Sequence, residues 1–230
     1  MTLDLDTCYL GDCLDIMRDM PDKCIDLVLT DPPYGIGITG KVGGDKPFGS
    51  NKTRIGGGSI CKVKEYISFD DSNVPDKIYF DELRRISKNQ IIFGGNYFAD
   101  MLPASSCWLV WDKDNTGNFA DCELCWTSFP TAVRKYKWRW NGLLQEDMAH
   151  KIKRVHPTEK PYPLLEEIIR DYSKEGDIIF DGFAGSFSVA HACINTGRKF
   201  ICVEKDEEYY KMGVERVRKA QAQGKLEAWF

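Results

Sequence analysis

Apolar and polar positions along the chain fall into short branched runs and longer stretches of helical spacing. Ile25 to Leu29, interrupted by Asp26, is the most apolar of the short runs and predicts a buried strand. It must stop at Thr30-Asp31-Pro32-Pro33-Tyr34-Gly35, because two prolines donate nothing to a sheet ladder and hold φ at about −65°. Upstream, Thr7 to Leu10 predicts a strand that leads through Gly11-Asp12-Cys13 into a helix over Leu14–Met20, stopped by Pro21. Downstream, Ile78, Tyr79, Leu83 and Ile86 give Asp76–Lys88 an amphipathic helical pattern. Gln90–Phe93 and Cys107–Trp111 follow as strands, closed by Gly94-Gly95-Asn96-Tyr97 and Asp112-Lys113, in which Asn96 and Asp112 are turn residues. Leu164, Leu165, Ile168, Ile169 and Tyr172 mark another helix, with Pro161 and Pro163 suited to its first turn. The last quarter alternates: strand Gly176–Asp181, turn Gly182-Phe183-Ala184-Gly185-Ser186, helix to about Asn195, strand Lys199–Glu204, and a helix capped by Asp206. Strands that alternate with helices predict the α/β class.

Composition narrows this picture. The 230 residues suffice for one domain with a full core and a small insertion. No stretch approaches the roughly 20 apolar residues of a membrane span, and the start MTLDLDTCYLGD lacks a basic leader region, so no membrane association and a cytoplasmic location are expected. Nine scattered cysteines suit reduced intracellular thiols. Cys122 and Cys125 form half of a zinc-site spacing, but no second pair follows, and no metal is expected. The net charge of −4 is unevenly spread. Residues 131–160 carry eight Lys/Arg against three acids, a local +5, while the other 200 residues sum to −9. Local sign decides where a polyanion docks.

Three stretches carry candidate chemistry. The turn after Leu29 offers the Asp31 carboxylate, the Pro32 carbonyl and the Tyr34 ring, with Pro33 stiffening it; that set suits a planar amine, accepting its protons and stacking on its ring. Residues 36–64 contain eight glycines, six Lys/Arg and one acid without periodicity, and predict a mobile basic loop, delimited here as 36–66, whose Lys41, Lys52 and Arg54 suit phosphates. Arg134-Lys135-Tyr136-Lys137-Trp138-Arg139-Trp140 alternates cations and aromatics before Asn141-Gly142. The alternation predicts a half-exposed hairpin strand, and also a nucleic-acid face built from Arg134, Lys135, Lys137, Trp138, Arg139 and Trp140.

Asp31-Pro32-Pro33-Tyr34 resembles the catalytic motif of the S-adenosylmethionine-dependent DNA amino-methyltransferases, in the form usual for adenine-N6 enzymes. His156-Pro157-Thr158-Glu159-Lys160-Pro161 and Asp181-Gly182-Phe183-Ala184-Gly185-Ser186 resemble two further motifs of that family, and the order, catalytic motif first and cofactor motif last, matches its circularly permuted group. The resemblance implies a Rossmann-like methyltransferase sheet with flanking helices and a small inserted target-recognition region at 113–155, followed by a cofactor-binding half at 156–230. It implies S-adenosylmethionine as cofactor, held by Asp12 and Cys13 at its adenine end, Thr158 and Lys160 near its methionine part, Asp181, Phe183, Gly185 and Ser186 in the loop, and also by Asp31. Glu204, 23 residues after Asp181, has a spacing that suits ribose hydroxyls. The implied activity is methylation of adenine N6 in double-stranded DNA after base flipping, in a bacterial or phage-infected cell. The implied partners beyond DNA are a second copy of the chain and a cognate restriction nuclease. Cytosine-N4 methylation and an inactive DNA-binding protein of the same fold are the alternatives. The turn is not the G-x-G-x-x-G of a dehydrogenase. Two departures from the family loop, Gly182 for proline and Phe187 for the last glycine, predict a shifted loop or weakened cofactor binding, because Phe187 adds bulk where the backbone approaches the cofactor.

Overall fold

The computed structural model describes residues 3–37, 74–114, 120–141, 144–156 and 158–227. Lys41, Lys52 and Arg54 of the predicted basic loop lie outside the described residues. An eight-stranded mixed sheet forms the centre of the molecule. In chain order its strands are β1 (Thr7–Leu10), β2 (Ile25–Thr30), β3 (Ser87–Phe93), β4 (Trp108–Asp112), β5 (Cys122–Thr127), β6 (Arg134–Lys137), β9 (Ile178–Asp181) and β10 (Lys199–Glu204). They lie side by side as β1-β10-β9-β2-β3-β5-β4-β6. The first five in that spatial order are parallel, β5 runs against both neighbours, and β6 runs parallel to β4. The carboxyl ends of every strand except β5 therefore meet at one edge of the sheet, and β5 begins there.

The helices are α1 (Cys13–Arg18), α2 (Lys77–Ile86), α3 (Tyr162–Tyr172), α4 (Ser188–Thr196) and α5 (Glu207–Glu227). Helices α1 and α2 bury Met17, Tyr79, Phe80 and Leu83 against Val28, Ile92, Phe180 and Val203 on one face of the sheet. On the other face, Leu164, Ile168, Val189 and Val217 of α3, α4 and α5 pack on Leu27, Leu29, Ile91 and Phe200. Because side chains alternate along a strand, Leu27 and Leu29 serve one layer and Val28 the other, which is why β2 is apolar almost throughout.

Caps fall where the sequence places them. Asp12 accepts the Leu14 N–H at 2.9 Å and Asp206 accepts those of Glu208 and Tyr209. The hairpin expectation needs correction. β6 pairs with β4 in parallel, and only Trp140–Asn141 (β7) and Leu144–Gln145 (β8) form a two-residue antiparallel ribbon. Cys122 and Cys125 lie on β5, the first exposed and the second buried, on opposite faces of the strand. Among the described residues, no helix is long and apolar enough to cross a membrane.

Candidate active site

Strand β2 delivers Asp31 to the carboxyl edge of the sheet, between β9 and β3. Both of its oxygens are engaged: Tyr34 donates its hydroxyl to Oδ1 at 2.6 Å, and Lys160 donates to Oδ2 at 2.5 Å. Lys160 is only 7% exposed and lies 3.3 Å from Oε2 of Glu123, while the other Glu123 oxygen accepts from Lys113. Two carboxylates and two ammonium groups thus alternate in a row, Asp31–Lys160–Glu123–Lys113, at the edge where β2 and β4 end and β5 begins. Burial works against the charge on Lys160, but Asp31 and Glu123 outweigh it and raise its pKa. Burial likewise opposes the Glu123 charge, and Lys160 and Lys113 together prevail and hold it ionised. For Asp31 burial wins: its pKa is raised despite the opposing pull of Lys160.

Glu123 and Lys113 escape sequence reasoning, because one lies between two cysteines and the other beside a turn. Their only signal is a charge within, or next to, an otherwise apolar strand.

The Tyr34 ring stacks on Tyr97 with centroids 4.8 Å apart and planes 14° from parallel, and meets Phe98 edge-on. This requires glycine at position 94. Gly94 has φ +67°, and a Cβ there would overlap the Tyr34 ring.

The cofactor-type loop lies directly beside this turn. Thr30 donates its hydroxyl to Asp181 Oδ1 at 2.8 Å, joining the ends of β2 and β9 across 151 positions of sequence. The same oxygen accepts the Phe183 N–H. Glu204, at the end of β10, accepts the N–H groups of Gly185 (2.7 Å) and Asp206 (2.8 Å), which fixes the loop against the next strand. Each carboxylate oxygen accepts two hydrogen bonds, so Glu204 retains acceptor capacity. Burial raises the pKa of Asp181 from 3.8 to about 7 and also raises that of Glu204. A carboxyl group whose pKa rises on folding favours the fold below its unfolded pKa and loses that contribution as pH climbs to the folded value. Asp181→Asn keeps an acceptor for Thr30 and Phe183, so it is expected to raise the thermal midpoint by several degrees at pH 8 and to leave it unchanged near pH 4. Calorimetry at the two pH values checks this.

Phe187 does not place its bulk in the loop, contrary to the premise of the sequence reading. Its backbone is left-handed, φ +57°, at the N-cap of α4, so it makes the tight turn that a glycine would make. Its side chain is fully buried and turns away from the loop into the core, against Gly213 of α5 and edge-on to Tyr210. The bulk goes into the core and leaves the loop surface clear. Gly182 stands where a Cβ would lie 3.2–3.3 Å from Tyr79, Cys13 and Phe180, a tight fit.

The His156–Lys160 segment is clamped from below. Glu159 accepts the N–H of Val155 and, through its other oxygen, a 2.8 Å bond from Arg216 of α5, which also donates to the Ser186 carbonyl. One guanidinium therefore ties the lysine-bearing segment to the cofactor-type loop. His156 is buried and its pKa falls to about 4, chiefly through desolvation; its Nδ1 lies 3.1 Å from the Thr158 hydroxyl. Asp12 caps α1 at the same edge, and Cys13 beneath it is buried, its thiol pushed up to about 12 by burial.

The basic strand divides by face. Arg134, Lys135 and Lys137 are exposed on β6, whereas Tyr136 is buried and donates to Asp171. Trp140 is 5% exposed and gives its indole N–H to the Glu159 carbonyl; half-buried Trp138 packs on the same core. Trp140, expected at a nucleic-acid face, is thus a core residue, because alternation sends every second side chain inward. Lys135 pairs with Asp112, and Lys137 and Arg139 pair with Asp114. Exposed pairs of this kind are worth about 0–1 kcal/mol each and exchange readily for other anions.

With this geometry in place, comparison with known proteins is direct. Residues 103–215 match the model of the N6/N4 methyltransferase family, described as DNA methylase. Over that stretch the chain is similar to this amino-methyltransferase family. The type II methyltransferase M.HinfI of Haemophilus influenzae is 24% identical over 93% of this chain and 68% of its own length. The crystal structure of the M1.HpyAVI–SAM complex matches 91% of this chain and 98% of its own, with TM-score 0.57 and 22% identity. The cytosine-N4-specific PvuII DNA methyltransferase matches 95% of this chain and 92% of its own, with TM-score 0.57 and 15% identity. These likenesses agree with the mixed sheet and flanking helices described above.

Proposed function

We propose that this protein is a DNA methyltransferase that acts on the N6 amine of adenine in double-stranded DNA, with S-adenosylmethionine as methyl donor. The observation that carries the reading is the Thr30–Asp181 hydrogen bond, which sets the Asp-Pro-Pro-Tyr turn against the Asp181–Ser186 loop. The donor set fits the cofactor. Asp181 and Glu204 are acceptors for amines and hydroxyls, Phe183 and Cys13 supply apolar contact, and Asp31 and Lys160 together complement an amino-acid zwitterion. Asp12 would meet the adenine end, Glu204 the ribose, and Gly185, Ser186, Thr158 and Lys160 the methionine end. Held there by these residues, the cofactor would supply an electrophilic methyl group.

The chain's own residues orient that amine. Its lone pair is delocalised into the ring, which makes it a poor nucleophile. Asp31 and the Pro32 carbonyl accept hydrogen bonds from its two N–H groups and favour a more pyramidal nitrogen; Pro33 keeps the carbonyl in place. Tyr34 stacks on the base once it leaves the duplex. Residues 113–155 form the recognition region, with Arg134, Lys135, Lys137 and Arg139 exchanging Asp112 and Asp114 for phosphates. Two copies of the chain and a cognate nuclease are compatible with this reading. The burial of Phe187 in the core supports an active enzyme over an inactive fold.

Incubation with tritiated S-adenosylmethionine and unmethylated genomic DNA, followed by digestion to nucleosides, tests the reading. Label in N6-methyladenosine is the expected result. Label in N4-methylcytosine moves the target to cytosine, the specificity named for the PvuII enzyme. Absence of label together with absence of cofactor binding overturns the proposal.

A further inference from the structure

Glu123 is a partly buried acid at the active site with no part in the mechanism above. It enters the active site from β5, an antiparallel strand outside the cofactor half, where among the described residues it faces Lys160 at 3.3 Å on one side and accepts a hydrogen bond from Lys113 on the other. A fully satisfied ion pair does not need it, since Asp31 alone already neutralises Lys160 at 2.5 Å. Burying a second carboxylate is costly unless it is compensated, and here a second lysine, Lys113, compensates it. Lys160 has three N–H donors and sits between two carboxylates with its Nζ above the Phe93 ring. Moving it from one carboxylate to the other requires only a small rotation at the end of its chain.

Asp31 has one acceptor position filled on each oxygen, by Tyr34 on Oδ1 and by Lys160 on Oδ2, and the ammonium draws its negative charge. A carboxylate held by an ammonium is a poor acceptor for an incoming amine. We propose that Glu123 is a positioning residue for methyl transfer: it shares Lys160 with Asp31 and takes over the ammonium as Asp31 accepts the amine of the target base, freeing that carboxylate for the proton the amine sheds. The step balances: nitrogen bonds to the methyl carbon, the carbon–sulfur electron pair stays on sulfur, and one N–H proton passes to Asp31 Oδ2 and then to water. Lys160 and Glu123 remain charged throughout.

The inference rests on the methyltransferase reading and deepens it. The charged and titratable groups facing Asp31 are Lys160, Glu123 and Cys125 of β5, Tyr34, Tyr79 of α2 and Asp181 of β9, with Lys113 acting through Glu123. Glu123 and Lys113 lie at the far end of this set, so changing them alters how Lys160 is shared without removing a group that touches the amine.

The test is single-turnover methylation between pH 5 and 9 on pre-bound enzyme, cofactor and DNA. Asp31 must be ionised, so the rate falls on the acid side as Asp31 protonates. Glu123→Gln leaves Lys160 on Asp31 alone; the transfer rate is expected to fall on the order of tenfold and the acid limb to move down by about one pH unit, with cofactor affinity kept. Lys113→Met strengthens the claim of Glu123 on Lys160 and is expected to move the limb upward. In a Lys160→Met background, Glu123→Gln is expected to lose most of its effect, because there is no ammonium left to share. Effects that add independently of Lys160, or an acid limb that moves the same way in both single variants, overturn the inference. A wild-type chain that transfers no label at any pH sinks the methyltransferase reading instead, so the two failures are distinguishable.

Discussion

Asp31→Ala is expected to lower single-turnover methylation by at least about two to three orders of magnitude, the range found when one preorganised hydrogen-bonding group is removed from a transition state. The fold is expected to survive. Asp31 sits at the end of β2 rather than within its ladder, and the Thr30–Asp181 bond that joins β2 to β9 does not involve it. Lys160 does not become an uncompensated buried cation either, because Glu123 remains 3.3 Å away. Cofactor affinity is expected to fall by less than the rate, since Asp31 is one of several groups at the methionine end and the Asp181–Ser186 loop keeps its contacts to Glu204 and Thr30. Calorimetric titration with S-adenosylmethionine and a quench-flow methylation assay on the same sample separate the two quantities. If the variant binds cofactor normally and still methylates DNA at more than a trace, Asp31 does not orient the amine.

Much of this arrangement was legible in the sequence. Strands β1 and β10 carry the bounds expected from their apolar runs, because each is flanked by turn residues that cannot extend it: Gly11 and Asp12 after Leu10, Gly197 before Lys199. The Asp-Pro-Pro-Tyr turn and the Asp181–Ser186 loop were visible for a similar reason, since proline and glycine restrict the backbone locally. Strand β5 was not. Its sequence, Cys-Glu-Leu-Cys-Trp-Thr, puts a charge beside an apolar position, and that charge is stabilised, among the described residues, by Lys113 and Lys160, one on the neighbouring strand's end and one 37 positions away. The partner of β6 was equally hidden. Asn-Gly after Trp140 signals a local turn, whereas the ladder that β6 joins belongs to β4, more than twenty residues earlier. Local rules report local geometry, and the row of four charges is entirely non-local.

Phe187 shows the same limit from the other side, and it yields the second large effect. Read as sequence, a phenylalanine in place of glycine is bulk in a binding loop. In three dimensions it is one half of a matched pair, with Gly213 on α5 as the other. A non-glycine residue at φ +57° costs about 1 kcal/mol or more, and burial of a whole aromatic side chain offsets this several times over. The pairing leaves no room at position 213, where a Cβ would overlap the Phe187 ring. Gly213→Ala is therefore expected to destabilise the fold by about 1–3 kcal/mol, although alanine is the better helix former by about 1 kcal/mol. It is also expected to weaken cofactor binding, because a displaced Phe187 carries with it the turn that begins α4 and accepts at Ala184 and donates from Gly185. Phe187→Ala removes the clash and leaves a cavity instead, at about 3–5 kcal/mol. The double variant decides the matter: with the ring gone, alanine at 213 fills part of the cavity, so the two changes together are expected to be less destabilising than their sum. Urea unfolding of the wild type, both single variants and the double variant measures this coupling. Simple additivity would mean that the helix and the loop are stabilised independently, and that the phenylalanine departs from the family pattern without Gly213 to accommodate it.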